Sequence, residues 1–275
     1  MKKKVSVGRV FLYIILAFWA IFMIMPFAWM LLTSVKAQPE AMKVPIVWLP
    51  KDPQWQNYAD VLQKYKFASY YKNTAFVTVV TVAFQLITCS MGAYAFARLD
   101  FPCKNAIFLV CMTVLMVPTQ MIIIPRFIMA MKFGWLNSFA GIIIPNLPSI
   151  YGVFFLRQNF MSLPRELDEA AMIDGCSFFG IYWRILLPLL KNGLIAFGVL
   201  TTLWSWNEML WPLIVTSKQN LYVLSIALAN MQGQYAQKIP TQMAAGVLAM
   251  APMLVVFLIG QKQMLEGIAL SGIKA

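Results

Sequence analysis

The sequence of 275 residues contains no histidine and few charged residues. Without an imidazole, the chain alone cannot build a Ser-His-Asp or Cys-His catalytic pair, a His-ligated zinc site or a His-ligated haem site. Charged residues make up 12% of the chain and hydrophobic residues 61%, whereas soluble domains have about 25% charged and about 45 to 50% apolar residues. Because so little charge cannot keep a soluble surface hydrated, the composition excludes a soluble globule and predicts a chain dissolved mostly in lipid.

Cysteine is also scarce, and its spacing predicts neither a disulfide framework nor a metal site. Four isolated residues without CxxC spacing are interpreted as small apolar side chains: Cys89, Cys103, Cys111 and Cys176. The net charge is +12, but the 22 Lys and Arg residues are scattered between apolar runs. This distribution favours anionic lipid headgroups over nucleic acid as the partner of the positive charge.

Six apolar runs are long enough to form membrane helices. They lie at about 10–32, 74–97, 105–125, 140–156, 194–215 and 243–260. The first run is too long for the core of a signal peptide and no Ala-x-Ala-like site follows it, so we expect an uncleaved membrane anchor. The sequence therefore predicts an all-α membrane protein with six transmembrane helices, in which residues 1–275 form one membrane domain.

The distribution of basic residues gives a weak preference for one orientation in the membrane. With a cytoplasmic N-terminus, the inner segments hold 12 basic residues and the outer segments 10. Lys2, Lys3 and Lys4 directly precede the first run, which favours N- and C-termini that are both cytoplasmic. In this orientation the long connection 157–193 is cytoplasmic, and the connections 33–73 and 216–242 are external.

The cytoplasmic connection 157–193 predicts two helices. Pro164 suits the first turn of one helix, acidic residues such as Glu166 suit its N-terminal end, and Gly175 suits the left-handed position that ends it. One stripe of this helix contains two small alanines that would let another backbone approach closely; its residues are Leu167, Ala170, Ala171 and Asp174. Ser177 suits the N-cap of a second helix, which Pro188 is expected to interrupt.

A motif in this connection resembles the hallmark of the inner-membrane permease subunits of ATP-binding-cassette (ABC) importers. That hallmark is EAA, three residues, Gly, nine residues and Ile-x-Leu-Pro, and the chain matches it at Glu169, Ala170, Ala171, Gly175, Ile185, Leu187 and Pro188. Gly is near 7% and Pro near 5% of residues on average, so a chance match at these spacings is negligible.

The flanking segments narrow the resemblance to the carbohydrate importers of the maltose-transporter type, and to their six-span subunit. FLRQNF (155–160), WNEMLWPLIV (206–215) and MAAGVLAMAP (243–252) resemble that group. Cys176 and Asn192 depart from its pattern, where a small residue and a proline would be expected. The resemblance covers nearly the whole chain.

The resemblance implies a type I ABC importer permease in a bacterial or archaeal cytoplasmic membrane, which is a transport subunit and not an enzyme. The implied partners are a second permease subunit, two ATPase subunits that receive the cytoplasmic loop, and an extracytoplasmic solute-binding protein. The implied solute is a sugar or an oligosaccharide. A glycerol-phosphate compound is the alternative solute, because related systems carry such compounds.

The energy source must lie outside this chain, because no Walker A loop is present. Gly175 and Gly180 have the five-residue offset of that loop, but Ile181 and Tyr182 follow instead of Lys and Ser or Thr. ATP and Mg are therefore expected on the ATPase partner, with no cofactor or metal in this chain. The alternative is an ion-driven secondary transporter, which usually carries several intramembrane carboxylates, whereas Glu208 is the only one in a predicted span.

Several polar and aromatic residues within the spans are candidates for the translocation path. An isolated carboxylate such as that of Glu208 costs roughly 3 kcal/mol inside a membrane, so it should face protein or water. The candidates are Gln85, Gln120, Asn146, Trp204, Trp206, Asn207 and Glu208. Each of them either contacts the solute or a gate, or has a structural role. In the structural role the polar residues hold neighbouring helices together and the tryptophans belong to an interfacial aromatic belt.

Overall fold

The structure is a computed structural model that describes residues 7–234 and 238–272, and these residues form helices without any β-strand. In chain order the helices are α1 (Val7–Ser34), α2 (Gln38–Ala41), α3 (Gln56–Lys64), α4 (Phe67–Arg98), α5 (Lys104–Thr113), α6 (Ile123–Lys132), α7 (Phe139–Ile143), α8 (Ile150–Met161), α9 (Glu166–Ile173), α10 (Phe178–Gly180), α11 (Leu187–Leu189), α12 (Lys191–Asn207), α13 (Leu210–Val215), α14 (Leu224–Gln234) and α15 (Ile239–Gly272). Single 3₁₀ turns lie at Val114–Met116, Thr119–Ile122, Ile144–Asn146 and Gln219–Leu221, and a π-helical turn lies at Ile181–Leu186. Lys2, Lys3 and Lys4 lie outside the described residues, and the cytoplasmic position of both termini stays a prediction.

Three helices are long and apolar enough to cross a membrane on their own. They contain Gly8–Ser34, Phe67–Arg98 and Ile239–Leu265, which are 27, 32 and 27 residues long. The first, second and sixth predicted spans therefore coincide with uninterrupted helices.

Bent helix pairs account for the third and fourth predicted spans, and a further bent pair begins inside the predicted cytoplasmic loop and continues into the fifth span. Lys104–Met116 and Thr119–Lys132 meet at 94°, Phe139–Asn146 and Ile150–Met161 at 43°, and Phe178–Leu189 and Lys191–Asn207 at 78°. The predicted number of six spans is reached if each pair counts as one.

Prolines explain two of these bends. Val117 is extended with ψ 118° ahead of Pro118, which is the conformation that a following proline imposes. Pro148 lies between the turn that ends at Asn146 and the helix that begins at Ile150. A proline ring cannot donate the next helical hydrogen bond, so the chain changes direction at both positions.

The fifth predicted span, 194–215, differs from the structure. Helix α12 begins earlier, at Lys191, and ends at Asn207. Glu208 leaves the helix with φ −64° and ψ 119°, and α13 follows as a separate short helix. The apolar run is continuous in the sequence, but its backbone is not one helix.

The chain divides into two compact units. One comprises the chain up to Ala68 together with Ala227–Ala251, and the other comprises Ser69–Ile226 together with the chain from Pro252 onward. The prediction of one membrane domain stays a prediction, and each unit is described by itself.

In the first unit, a buried lysine holds together the segment that follows α1. Lys36 Nζ donates to Val47 O at 2.6 Å and lies 4.1 Å from the ring centroid of Trp29. Burial lowers the pKa of Lys36, and the negative charge of Glu40 partly opposes this shift. Asn57 Nδ2 donates to the carbonyl oxygens of Ser34 and Lys36, at 2.9 and 3.0 Å.

The second unit contains two hydrophobic clusters. The first joins α4, α8 and α12 to the 157–193 loop, through residues that include Leu156, Phe160, Ile181, Leu186 and Phe197. The second joins α6, α7 and α13, through residues that include Ala130, Ile142, Trp211, Val215 and Ile226. The clusters support the two parts of the candidate site, which are the cytoplasmic loop and a cavity.

Candidate functional site

The cytoplasmic loop contains the two helices that the sequence predicts, and the first of them ends at Gly175. Helix α9 carries Glu166, Asp168 and Glu169 in its first turn, where acidic side chains favour the positive end of the helix dipole. Gly175 has φ +79°. Gly175 N donates to Met172 O at 3.0 Å and Cys176 N donates to Ala171 O at 2.9 Å, which is the Schellman arrangement that a left-handed residue allows.

The second loop helix begins as expected but continues past Pro188. Ser177 Oγ accepts a hydrogen bond from Gly180 N at 3.2 Å, so Ser177 is the N-cap. The expectation that Pro188 interrupts this helix is wrong, because Pro188 lies within α11 and the break comes at Leu190. The π-helical turn Ile181–Leu186 directly precedes α11, and such a widened turn accommodates the missing N–H of the proline.

The inner side of the loop is fixed by the C-terminal end of α4. Arg98 Nη1 lies 3.1 Å from Asp168 Oδ2, and Arg98 Nη2 donates to the carbonyl oxygens of Phe160 and Leu163 at 2.7 and 2.8 Å. Tyr94 Oη donates to Phe178 O at 3.0 Å. The single sequence signal for this role of Arg98 is its position at the end of a predicted span.

The predicted docking stripe of α9 is divided between two environments. Ala171 is buried and Leu167 packs against the first hydrophobic cluster, whereas Ala170 and Asp174 are exposed. Two of the four residues therefore hold α9 to its own chain, and the docking of this helix on a partner stays a prediction.

The outward side of the loop instead carries exposed apolar side chains. We call the following residues the outer loop surface: Ala170, Met172, Ile173, Phe178, Phe179 and Trp183. Ile173 is 87% exposed. Exposed apolar surface of this kind marks a site of interaction. Of the other motif residues, Pro164, Glu166, Glu169, Gly175 and Pro188 are exposed, and Ile185 and Leu187 pack against the first hydrophobic cluster.

The second part of the candidate site is a cavity of about 550 Å³ in the second unit. It brings together three of the predicted path residues, Gln85, Asn146 and Trp204. It is also lined by Arg126 and Tyr151, which the sequence analysis did not select. The predicted third span ended at residue 125, one residue before Arg126, whereas α6 continues to Lys132.

Hydrogen bonds connect the polar residues of this cavity. Gln85 is buried, and its Nε2 donates to Asn146 O at 2.7 Å. Asn146 Oδ1 accepts from Arg126 Nη2 at 2.8 Å, and Asn146 Nδ2 donates to Ile142 O at 3.1 Å. The guanidinium carbon of Arg126 lies 4.3 Å from the ring centroid of Trp211, a distance suited to a cation–π contact.

The remaining predicted path residues do not line this cavity. Gln120 is exposed, and Trp206 is buried with its ring 5.5 Å from that of Tyr71. Asn207 Nδ2 donates to Leu203 O at 2.7 Å within its own helix. The contacts of Trp206 favour a role in packing, and for Gln120 and Asn207 both interpretations stay predictions.

Glu208 stabilises the start of the short helix that follows it. Its Oε1 accepts from Trp211 N at 3.1 Å, and its backbone O accepts from Ser225 Oγ at 2.7 Å. The carboxylate therefore satisfies an N–H at the beginning of α13, which has no partner inside that helix.

Within residues 7–234 and 238–272, no group of three or more His, Cys, Asp or Glu side chains could hold a metal ion. The four cysteines are free thiols, of which Cys89 is buried and Cys103 exposed. The site therefore consists of a loop with an apolar outer surface and a cavity lined by polar and aromatic residues.

Comparison with known proteins gives consistent matches over the full chain. Residues 87–266 match the family described as the binding-protein-dependent transport system inner membrane component. The arabinooligosaccharides transport system permease protein AraQ of Halalkalibacterium halodurans is 31% identical over 278 residues, which is 100% of both chains. The probable starch degradation products transport system permease protein AmyC of Thermoanaerobacterium thermosulfurigenes is 30% identical over 274 residues, which is 99% of both chains.

A solved structure shares the fold. It is the crystal structure of a bacterial ABC transporter involved in the import of the acidic polysaccharide alginate, with a TM-score of 0.83 and 23% identity. The match covers 94% of this chain and 98% of that chain. At this identity the likeness is one of fold alone.

Proposed function

The chain belongs to the family of inner-membrane components of binding-protein-dependent transport systems, and from this premise we propose that it forms half of the membrane pathway of an ABC importer for a sugar or an oligosaccharide. The chain is a transport permease subunit and not an enzyme. A second permease subunit completes the pathway, two separate ATPase subunits bind ATP and Mg, and an extracytoplasmic solute-binding protein delivers the solute. In this assignment the chain needs no cofactor and lies in the cytoplasmic membrane of a bacterium or an archaeon as a multi-pass protein.

The names of the relatives support the class of solute. AraQ is named for the transport of arabinooligosaccharides and AmyC for that of starch degradation products. Both relatives align over nearly their whole length with this chain. The cavity adds a physical argument, because polar side chains and aromatic faces in one concave site suit a ligand with hydroxyl groups and apolar ring faces.

One observation supports the coupling role of the loop most directly: α9 is fixed on its inner side, and its outer side exposes the apolar Met172 and Ile173 beside acidic residues. The Arg98–Asp168 ion pair and the buried Ala171 hold the helix to its own chain. The side chain of Ile173 remains almost fully exposed. A surface that the chain itself leaves uncovered, on a helix that cannot move independently, suits a partner that drives the membrane helices.

The test is a cross-linking experiment on the assembled importer. Ile173→Cys and Val44→Cys are matched variants, because the native side chains are 87% and 89% exposed. Each is made in a chain whose Cys103, Cys111 and Cys176 are replaced by serine, because only Cys89 is buried, and is labelled with a short photo-activated cross-linker. We expect Ile173→Cys to capture the ATPase subunit and Val44→Cys not to capture it.

Two outcomes would contradict the proposal at different levels. If Ile173→Cys captures no ATPase while uptake still requires ATP, the outer loop surface is not the docking site. If the purified complex contains no ATPase and uptake survives ATP depletion but not an uncoupler, the chain acts in a secondary transporter and the whole proposal fails.

A further inference from the structure

The cavity of the second unit has the size and the wall chemistry of a ligand site. Its volume of about 550 Å³ lies within the range of about 300 to 1,000 Å³ that is usual for small-molecule pockets. Gln85, Arg126 and Asn146 contribute polar atoms to its wall. Tyr151 and Trp204 contribute aromatic rings, and these two side chains are 47% and 48% exposed.

The polar wall has hydrogen-bonding capacity that the protein itself does not use. Gln85 is only 4% exposed and uses its Nε2, but no hydrogen bond in the described part of the chain uses its Oε1. Arg126 has five N–H donors, and within the described residues one hydrogen bond, to Asn146, uses them. Gln85 Oε1 and the unused N–H groups of Arg126 are therefore available to a ligand that donates to Gln85 and accepts from Arg126.

A sugar hydroxyl meets this requirement because it both donates and accepts. A purely apolar ligand would leave the acceptor and the donors unsatisfied, and an anion would satisfy only the donors. The faces of Trp204 and Tyr151 supply the complement for the apolar face of a sugar ring, whose C–H groups meet the negative face of an aromatic ring.

The charge of the cavity favours a neutral ligand. Among the described residues of the wall, Arg126 is the only Lys, Arg, Asp or Glu, and its charge is partly compensated. The ring of Trp211 lies 4.3 Å from the guanidinium carbon, and the carboxylate of Glu208 attracts the same group. The guanidinium therefore provides hydrogen-bond donors without requiring a second anion.

We propose that this cavity is a saccharide subsite on this subunit, which binds one ring of a neutral sugar through Arg126 and Gln85 and stacks it on Trp204. The inference deepens the proposed function and rests on it. Arg126 and Gln85 determine which ring is accepted, and the binding energy comes from hydrogen bonds formed only when a polyol is present.

The test is equilibrium binding to the purified complete importer without its solute-binding protein. The probes are labelled maltotriose, arabinotriose and the acidic trisaccharide trigalacturonate. We expect the better neutral probe to bind about tenfold more weakly to Gln85→Leu, Arg126→Gln and Trp204→Ala, the effect of one lost hydrogen bond or stacking contact. Gln63→Leu is the matched control, because Gln63 is exposed on α3 and does not line the cavity.

Two further variants separate binding from folding and from charge. Arg126→Lys keeps the charge but loses the planar donor fork, so it should weaken binding while the complex stays assembled. Glu208→Gln removes the compensating carboxylate, so it should increase the affinity for trigalacturonate relative to the neutral probe by about tenfold.

The outcomes distinguish this inference from the proposed function. If the cavity variants bind the neutral probe as tightly as Gln63→Leu does, while the wild-type importer takes up that probe with ATP, the subsite is overturned and the function stands. If the wild-type complex binds trigalacturonate more tightly than the neutral probes, the assignment of a neutral sugar as the ligand is overturned. Failure of the reconstituted wild-type importer to take up any saccharide would overturn the proposed function itself.

Discussion

At the scale of single residues, Arg98 determines how the cytoplasmic loop is held. Its guanidinium contacts the carbonyl oxygens of Phe160, at the C-terminal end of α8, and of Leu163, just after that end, and the carboxylate of Asp168 in the first turn of α9. A cation favours the negative end of one helix dipole and an acidic residue favours the positive end of the next. The planar fork of arginine can serve these acceptors together, which the single ammonium of lysine cannot do as well.

We predict that Arg98→Ala lowers the free energy of unfolding by about 3 kcal/mol, because Asp168 is then left without its buried partner. The side chains of the pair are only 5% and 13% exposed. Arg98→Lys should retain part of this stability but reduce solute uptake per ATP hydrolysed. Thermal unfolding of the purified subunit and coupled uptake assays measure the two effects.

The control for this prediction is the exposed pair of Asp100 and Lys104. The hydrogen bond from Lys104 to Asp100 lowers the pKa of Asp100, and the Asp100 side chain is 88% exposed. Solvent screens such a pair, so Asp100→Asn should leave stability and coupling unchanged. Equal effects of Arg98→Ala and Asp100→Asn on stability and coupling would show that the Arg98–Asp168 pair does not hold the loop.

At the scale of elements, the loop depends on a helix that ends at one position. Gly175 is left-handed, and a Cβ built on it meets no heavy atom within 4 Å. The glycine is therefore required for its backbone conformation and not for space. The Schellman hydrogen bonds that it permits determine where α9 stops and the second loop helix begins.

We predict that Gly175→Leu uncouples ATP hydrolysis from uptake, because a left-handed leucine costs about 1 to 2 kcal/mol and shifts the end of α9. Gly134→Leu is the matched control, since Gly134 has φ +70° and also has nothing within 4 Å of its Cβ position. Parallel ATPase and uptake assays should show loss of uptake only for Gly175→Leu. Asparagine, which tolerates this conformation, should restore part of the uptake at residue 175.

If both leucine variants take up solute as the wild type does, the end of α9 at Gly175 is not needed for coupling. Equal loss of uptake by both would indicate a general cost of left-handed leucine and not a role of α9. Because the two glycines share the same backbone conformation, a difference in uptake between the variants comes from where each glycine lies in the fold.

At the scale of the whole molecule, α1 shows why a membrane is needed. Its residues from Gly8 to Phe27 are exposed, and this stretch is almost entirely apolar. In water this exposed apolar surface would be unfavourable. Lipid or neighbouring subunits must therefore cover it.

We predict that the segment around Val44 is external and that Cys103 is cytoplasmic. A membrane-impermeant maleimide should label Val44→Cys in intact cells, in a chain whose native cysteines are all replaced by serine. A chain that keeps only Cys103, which is exposed, should be labelled only after the cells are permeabilised. Labelling of both sites from outside would contradict the predicted orientation, because the α4 span lies between them.

The sequence alone determined the features that depend on near neighbours along the chain. The α9 terminator at Gly175, the cap at Ser177 and three uninterrupted spans follow from local conformational preference and from the length of apolar runs. Family membership confirms the resemblance that the motif at Glu169 to Pro188 indicates.

Only the tertiary structure decided which side chains meet. Arg98 and Phe160 are 62 residues apart in the sequence, and Gln85 and Asn146 are 61 apart. Their contacts depend on the bends of three helix pairs, which hydrophobicity does not encode because an apolar run looks the same whether it is straight or broken. The division of the α9 stripe and the place of Arg126 in the cavity have the same origin, since each is set by packing between distant segments.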